Sequence, residues 1–188
     1  MPVKVAYQGE RGSNSQVAAR MLADQIGLAH ADYLGLVNSI HVIESLVAGF
    51  CDYGVVAVKN SFAGTVKETA DALVDAPINV LGELSLSVNH CLFKLPSTPL
   101  QFVRYVASHP QALAQTRGTR QQTLPAMEEI PMPDTAVSAR YLREGQLGPT
   151  VAVVCSQEAG NLYGLELVAS GIQDAPDNHT DFVIFTLK

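Results

Sequence analysis

The residues of this chain that could do chemistry are small hydroxyl and amide side chains that follow short apolar runs. They cluster near Ser13, Asn60, Ser108, Thr135 and Ser156. Each cluster precedes a segment with helical spacing, which predicts a junction where a strand passes into a helix. The first N–H groups of a helix have no partner within the helix, and a small hydroxyl beside them adds a donor. Several such junctions predict a cleft that binds a small carboxylate compound.

The cysteines and histidines lack the spacings that are typical of nucleophiles and metal sites. Cys51, Cys91 and Cys155 are odd in number, widely spaced and set in apolar context. This favours buried free thiols in a reducing compartment. The five histidines show neither the HxxxH nor the HExxH spacing of metal ligands. The sequence therefore predicts no metal site.

The composition is that of an acidic protein with a real core. With 188 residues, 47% of them hydrophobic, the chain can form one compact domain or two small lobes. Its 12 Lys and Arg against 18 Asp and Glu give a net charge of −6, and without a basic run nucleic acid is a poor candidate partner. No apolar stretch is typical of a signal peptide or a membrane span, so we expect no membrane partner and a cytoplasmic location.

Strands and helices alternate along the first part of the chain. Strands are predicted over residues 3–7 and 53–58, and helices over residues 16–26, 40–50 and 66–74. This alternation is typical of α/β layers with a parallel sheet.

The following part begins with a long predicted strand over residues 78–93, which could carry the chain from one lobe to the next. Residues 121–133 contain three prolines and predict an irregular surface link. Further strands are predicted over 103–107, 150–154 and 182–187, helices over 111–116, 135–142 and from 155 to about 163, and a return segment over 165–174. No internal repeat is visible in the sequence.

Groups of residues in a fixed order carry a resemblance to one family. They are Val5-Ala6-Tyr7-Gln8-Gly9 with Gly12-Ser13; Tyr53-Gly54-Val55-Val56 with Asn60-Ser61 and Gly64; Gly82-Glu83 with His90-Cys91-Leu92; Ser108-His109-Pro110-Gln111-Ala112-Leu113-Ala114-Gln115; and Tyr163-Gly164-Leu165 with Ile172-Gln173-Asp174, Asn178 and Thr180. Together they resemble the catalytic domain of prephenate dehydratases and plant arogenate dehydratases, and the resemblance covers nearly the whole chain.

The resemblance implies an α/β fold with two lobes, like that of type 2 periplasmic binding proteins, with a cleft between the lobes. We expect lobe 1 to comprise residues 1–80 and 173–188, and lobe 2 residues 81–172. The implied reaction needs no cofactor: prephenate loses carbon dioxide and water to give phenylpyruvate, in phenylalanine biosynthesis. A homodimer or homotetramer is also implied. Family members usually carry a C-terminal ACT domain, which we do not expect here because the sequence stops soon after the last motif.

The same resemblance assigns the residues of the site. It implies that Thr180 acts at the leaving hydroxyl as a hydrogen-bond donor, and that Asn60 and Gln115 are catalytic groups that orient the substrate. The residues expected to bind the substrate, a dicarboxylate like prephenate, are Ser13, Ser61, Ser108, Lys59, Asp181 and Phe182.

Two charged positions depart from the family pattern. Lys59 stands where the family has Glu, and Asp181 stands where the family has Arg between Thr and Phe. We hypothesise that the two residues face each other and that the pair has exchanged its signs. The competing interpretation is independent drift on two solvated loops, where substitutions are usually near neutral.

The loss of the arginine leaves several functions open. The chain could be a prephenate dehydratase with a rewired charge pair, or it could act on arogenate, whose amine would attract a carboxylate such as Asp181. It could also be a prephenate decarboxylase that does not aromatise the ring, or a catalytically silent protein that binds a small anion.

Overall fold

A computed structural model describes residues 2–74, 76–125 and 127–188. It divides into two compact units: unit 1 comprises Met1–Val88 and Asp177–Lys188, and unit 2 comprises Asn89–Pro176. The sequence indicated changes of lobe at residues 80 and 172. The structure has them later because the whole strand Ile78–Ser87 pairs with the last strand of the chain in the sheet of unit 1.

The helices and strands follow one another along the chain in an alternating order. They are β1 (Lys4–Gln8), α1 (Asn14–Gln25), β2 (Asp32–Leu36), α2 (Ser39–Val47), β3 (Tyr53–Asn60), β4 (Gly64–Thr65), α3 (Lys67–Leu73), β5 (Ile78–Ser87), β6 (Cys91–Lys94), β7 (Tyr105–Ser108), α4 (Pro110–Gln115), α5 (Arg117–Thr123), β8 (Glu128–Pro131), α6 (Thr135–Arg143), β9 (Val151–Cys155), α7 (Gln157–Leu162), β10 (Glu166–Ala169) and β11 (His179–Leu187). In the described part of the chain, no helix combines the length and the apolarity needed to cross a membrane.

The sheet of unit 1 has the strand order β2-β1-β3-β11-β5, with β4 paired to β3. β1 is parallel to β2 and β3, whereas β11 is antiparallel to β3 and β5. One face of the sheet, with Val5, Tyr7 and Val55, packs on α1, and the other face, with Ala6 and Val56, packs on α2 and α3. Both faces are covered, so the middle strands are buried and apolar.

Unit 2 repeats this topology with other residues. Its strand order is β10-β6-β9-β7-β8; β7 is parallel to β8 and β9, and β6 is antiparallel to β9 and β10. In each unit a strand–helix–strand–helix–strand run is followed in the sheet by antiparallel strands. The structure therefore contains an internal repeat of topology that the sequence does not show.

Four of the five predicted junctions lead from a strand into a helix. Ser13 and Ser156 cap α1 and α7 with their hydroxyls, and Asp134 caps α6 with its carboxylate. At the fourth, His109 caps α4 directly after β7. The prediction was wrong at Asn60, where the chain turns into β4 instead of a helix because the Asn60 side chain accepts hydrogen bonds from the next turn.

Two other predictions were wrong in the middle of the chain. Residues 78–93 form two strands in different sheets, because an alternating pattern does not reveal where the pairing partner changes. Residues 121–133 are not an irregular link: α5 reaches Thr123 and β8 pairs in parallel with β7, while Ala126 lies outside the described residues. β8 tolerates Pro131 because it is the edge strand of its sheet.

The cysteines are buried and free, as predicted. Burial raises the pKa of the Cys51, Cys91 and Cys155 thiols, so all three stay protonated near neutral pH. Protonated, enclosed thiols are poor nucleophiles.

A cluster of charged side chains in unit 2 should make the stability of the protein depend on pH in the acidic range. The guanidinium of Arg120 is 4% exposed and lies 2.7 Å from Glu129 Oε1, while Arg117 binds Glu129 Oε2 at 2.8 Å. The hydrogen bond from Arg117, aided by Arg120, lowers the pKa of Glu129 from 4.5 to about 2. Glu129 therefore stabilises the fold above about pH 4.5, and this contribution disappears as the pH falls towards about 2.

We expect Glu129→Gln to lower the free energy of unfolding at pH 7 and to have a much smaller effect near pH 2. Urea unfolding of the variant and the parent at both pH values measures this difference. Glu128→Gln, at the exposed preceding residue, is the matched control and should change little. An effect of Glu129→Gln that is equal at both pH values would contradict the prediction.

Candidate functional site

The carboxyl edge of the parallel strands in unit 1 carries a cluster of polar side chains. β1 leads into α1 on one face of the sheet and β2 leads into α2 on the other, so β1 and β3 flank a point where the strand order reverses. In open α/β sheets ligands bind beyond the carboxyl ends of the strands at such a point. Asn60 ends β3 there, and Thr180 lies directly opposite it on β11.

The side chain of Asn60 is the centre of this cluster. Its Oδ1 accepts hydrogen bonds from the backbone N–H groups of Phe62 (3.1 Å) and Ala63 (3.0 Å). Its Nδ2 lies 3.1 Å from Asn178 Oδ1, 3.0 Å from the carbonyl oxygen of His179 and 3.0 Å from Thr180 Oγ1. The two N–H donors require an oxygen on their side, which settles the orientation of the amide. The amide NH₂ therefore faces Thr180.

This orientation of the Asn60 amide decides which hydrogen bonds the Thr180 hydroxyl can accept and donate. Its oxygen accepts a hydrogen bond from Asn60, so its own proton points away from Asn60. Within residues 2–74, 76–125 and 127–188, no acceptor takes that proton. Thr180 is only half-buried, so the hydroxyl can donate to a bound molecule.

Ser61 holds the segment that leads into β11. Its hydroxyl accepts a hydrogen bond from the N–H of His179 at 3.0 Å and donates to the carbonyl oxygen of Asp177 at 3.3 Å. The N–H of Ser61 donates to the carbonyl oxygen of His179 at 2.9 Å. The sequence predicted that Ser61 contacts a carboxylate, and the structure gives its hydroxyl two backbone partners beside Thr180.

Lys59 and Asp181 are cross-strand neighbours, one residue before Asn60 and one after Thr180. Side chains at directly opposite positions of antiparallel strands share a face and have Cβ atoms about 5 Å apart. Both residues lie in strands, not on separate loops, and the register gives the arrangement that the charge-exchange hypothesis requires. In the part of the chain that the structure describes, no ion pair joins them.

Two other predicted binding residues of unit 1 have structural partners. The Ser13 hydroxyl accepts from the N–H of Gln16 as the cap of α1, and Gln16 Oε1 accepts from the N–H of Gly12 at 2.8 Å. Phe182 is 2% exposed and packs in the core with Ile184. The structure thus assigns Phe182 to the core rather than to a ligand surface, since its strand position alternates into the layer under α1.

In unit 2 the predicted residues fall into two different environments. Ser108 is fully buried, and its hydroxyl donates to the carbonyl oxygen of Val154 at 2.6 Å, which ties β7 to β9. Gln115 ends α4, and its Oε1 lies 3.1 Å from Nε2 of His90. Burial lowers the pKa of His90, so its ring is neutral near pH 7. The structure therefore places Ser108 inside the sheet, whereas the Gln115 amide contacts the ring of His90, another residue of the motifs.

A groove of about 420 Å³ lies elsewhere on unit 1, between α2 and α3. Its walls include the carboxylates of Glu44, Glu68 and Asp71. Three carboxylates repel a dianion, so this groove is a poor candidate for a dicarboxylate. The polar cluster around Asn60 is the better candidate site.

Comparison with known proteins decides the family. The prephenate dehydratase family profile matches residues 5–188. The chain belongs to the prephenate dehydratase family. The chain is 35% identical over 182 residues to arogenate dehydratase 5, chloroplastic, of Arabidopsis thaliana, covering 97% of this chain and 41% of that protein. It is 31% identical over 188 residues to the prephenate dehydratase of Mycolicibacterium gilvum (strain PYR-GCK), covering 96% of this chain and 60% of that protein.

Solved structures confirm the predicted fold. The prephenate dehydratase of Arthrobacter aurescens in complex with L-Phe has a TM-score of 0.88 at 26% identity, covering 99% of this chain and 61% of that chain. GqqA, described as a novel type of quorum-quenching acylase, has a TM-score of 0.84 at 29% identity, covering 98% and 64%. A periplasmic substrate-binding protein of an ABC transporter from Coxiella burnetii, at 12% identity and a TM-score of 0.53, shares the fold alone.

The prephenate dehydratase family therefore has the α/β fold with two units that the sequence predicted. This chain spans about two fifths of the length of the plant relative and three fifths of the bacterial one. Sequence reasoning placed Asn60 and Thr180 in the site but assigned no role to His90, Gln173, Asp174 or Asn178. All four belong to the family motifs, and that was the signal that could have nominated them.

Proposed function

We propose that this protein is a carbon–oxygen lyase of the prephenate dehydratase type, working without a cofactor. The observation that supports it is the Thr180 hydroxyl, whose oxygen accepts a hydrogen bond from Asn60, so that its own proton is left for another acceptor. A neutral amide cannot take a proton from that hydroxyl, so the pair is suited to donating a hydrogen bond rather than to nucleophilic attack.

The reaction needs such a donor. Loss of the ring carboxylate pushes electrons towards the carbon that bears the hydroxyl, and hydroxide is a poor leaving group. A hydrogen bond from Thr180 to the departing oxygen stabilises the charge that develops there. Asn60 keeps the threonine hydroxyl in one orientation, so little reorganisation is needed during the reaction. Gln115 is proposed to orient the substrate with its neutral amide, Ser61 to hold the segment that carries Thr180, and Ser13 and Lys59 to favour the carboxylates of the substrate.

Acyl transfer is the competing chemistry, since GqqA is described as an acylase. A threonine nucleophile needs a base that accepts its proton. At Thr180 the contact is with the amide NH₂ of Asn60, which is a donor. This favours the lyase over the acylase.

The choice between prephenate and arogenate depends on Asp181. Arogenate carries an ammonium group where prephenate carries a keto group. Asp181 is half-buried and follows Thr180 on β11, so its side chain lies on the other face of the strand and acts on a molecule bound at Thr180 through its charge. A carboxylate there attracts an ammonium group and repels a further carboxylate. Arogenate is therefore the second candidate substrate, and a specific residue favours it. If dehydration is absent, a prephenate decarboxylase and a silent anion-binding protein are the functions that are left.

One assay tests the proposal. The purified full chain is mixed with prephenate or with arogenate, and phenylpyruvate, phenylalanine and carbon dioxide are measured. Phenylpyruvate or phenylalanine supports the lyase and identifies the substrate. Carbon dioxide with a product that is not aromatic indicates the decarboxylase, and a raised Tm without turnover indicates the binding protein. Either of these last two results overturns the proposed function. Light scattering on the same sample tests the proposed homodimer or homotetramer.

The Lys59–Asp181 pair gives a separate prediction. Asp181→Arg places two cations at directly opposite positions, so we expect kcat/KM to fall by about tenfold and stability by up to about 1 kcal/mol. Adding Lys59→Glu should restore most of both. Kinetics and urea unfolding of the four members of the double-mutant cycle measure the coupling. Lys67→Glu, on exposed α3, is the control for a simple change of net charge, and additive effects at residues 59 and 181 would count against a direct pair.

A further inference from the structure

The Ile172-Gln173-Asp174 motif has no role in the proposed chemistry. Two of its residues nevertheless form hydrogen bonds with the backbones of His90 and Gln115. The side chain of Gln173 accepts a hydrogen bond from the backbone N–H of His90 at 3.1 Å. The backbone N–H of Asp174 donates to the carbonyl oxygen of Gln115 at 2.7 Å. Consecutive residues therefore fix the backbones of His90 and Gln115 relative to each other.

Asp174 also fixes the point at which α4 gives way to α5. Its carboxylate accepts from the N–H groups of Gly118 (2.9 Å) and Thr119 (2.8 Å), and from the Thr119 hydroxyl (2.9 Å). A residue 56 positions away from Gly118 thus caps α5. Asp174 therefore stabilises the break between α4 and α5 on both sides: its N–H binds the carbonyl oxygen of Gln115, and its carboxylate binds the first turn of α5.

Between these two fixed backbones, the side chains of His90 and Gln115 lie within hydrogen-bond distance of each other. His90 is 6% exposed, and its neutral ring offers one N–H donor. Gln115 Oε1 faces the ring at 3.1 Å, and an amide oxygen accepts, so in this arrangement Nε2 of His90 carries the proton and donates. The NH₂ of the Gln115 amide then lies on the side away from the ring.

We propose that His90 is a positioning residue for Gln115, a role that rests on the proposed function. A glutamine side chain in solution has several rotamers, and ordering it costs conformational entropy. His90 orders the amide during folding, so this cost does not fall on substrate binding. Gln115 then presents its amide to the substrate in one orientation, as Asn60 presents Thr180.

The experiment compares two replacements of His90. His90→Gln keeps an N–H donor near the position of Nε2, whereas His90→Met keeps the volume without a donor. We expect His90→Met to lower kcat/KM for prephenate or arogenate by about 10- to 100-fold and His90→Gln to rescue most of that loss. In a Gln115→Ala background, His90→Met should have no further effect on kcat/KM. Equal kcat/KM for the two variants, or additive losses with Gln115→Ala, overturns the proposal.

Two further measurements separate this role from stability and from the proposed function. Thermal unfolding of each variant shows whether the activity loss merely follows Tm. ¹⁵N NMR of the His90 ring should show the neutral tautomer with its proton on Nε2 in the parent, and a changed tautomer population in Gln115→Ala. A proton on Nδ1 in the parent overturns the inference even if the chain has no lyase activity, in which case the proposed function fails separately.

Discussion

Replacing Thr180 with valine is expected to lower kcat by roughly 10²- to 10³-fold, because it removes the donor at the departing oxygen and keeps the volume of the side chain. The loss of the bond from Asn60 should cost only about 1 kcal/mol of stability, since Thr180 is half-buried. Thr180→Ser keeps a hydroxyl opposite Asn60 and is the matched control. Kinetics with prephenate and with arogenate, together with urea unfolding, measure both effects.

The comparison between these two variants isolates the hydroxyl. If Thr180→Val retained more than about a third of the parent kcat, the hydroxyl would have no part in the rate-limiting chemistry and the mechanism would be wrong. If Thr180→Ser lost as much activity as Thr180→Val, the methyl group and not the hydroxyl would be the feature that matters.

Replacing Asn60 with aspartate is expected to cost about 2 to 4 kcal/mol of stability and to remove nearly all activity. The variant keeps an oxygen for the N–H groups of Phe62 and Ala63. On the other side, however, it turns the donor into a carboxylate oxygen that faces the acceptor oxygens of Asn178 and His179, while only the Thr180 hydroxyl can turn to donate to it. Urea unfolding and kinetics of the variant measure the two losses.

The way in which the stability of Asn60→Asp changes with pH tests whether Asn60 acts as a donor. Acceptors around the new carboxyl raise its pKa above that in the unfolded chain, so the protonated form can donate as the amide did. The stability deficit relative to the parent should therefore shrink as the pH falls and grow as the pH rises. Asn79→Asp, at an exposed position of β5, is the control and should change stability by less than about 0.5 kcal/mol. A deficit that does not change with pH would contradict the donor role of Asn60.

The periodic patterns of the sequence predicted most elements of unit 1 but not their partners. The strand at residues 53–58 and the helix at residues 16–26 were predicted because each has a strong apolar period, and both are present as β3 and α1. β2 was missed because Asp32–Leu36 has no buried alternation to signal it. The passage from β5 to β6 was missed because an alternating pattern continues across it.

Within the candidate site, the sequence alone nominated Asn60, Ser61 and Thr180 through the resemblance of their motifs. Asn60 and Thr180 are 120 residues apart in the chain, and only the antiparallel pairing of β3 with β11 brings their side chains to 3.0 Å. The same register decides that Lys59 lies opposite Asp181. It is the register, fixed by which faces of the strands are buried, that converts separate motifs into a cluster.

What the sequence determined by itself is the family, the α/β class and the absence of spacings typical of metal sites, because these depend on residue types and periods along the chain. Tertiary structure alone decided that Phe182 and Ser108 are enclosed, that the Asn60 amide turns its NH₂ towards Thr180, and that His90 binds Gln115. These facts depend on burial and on the direction of hydrogen bonds between distant segments. A linear pattern records which donors and acceptors exist, whereas the fold decides which of them meet and which are withdrawn from water.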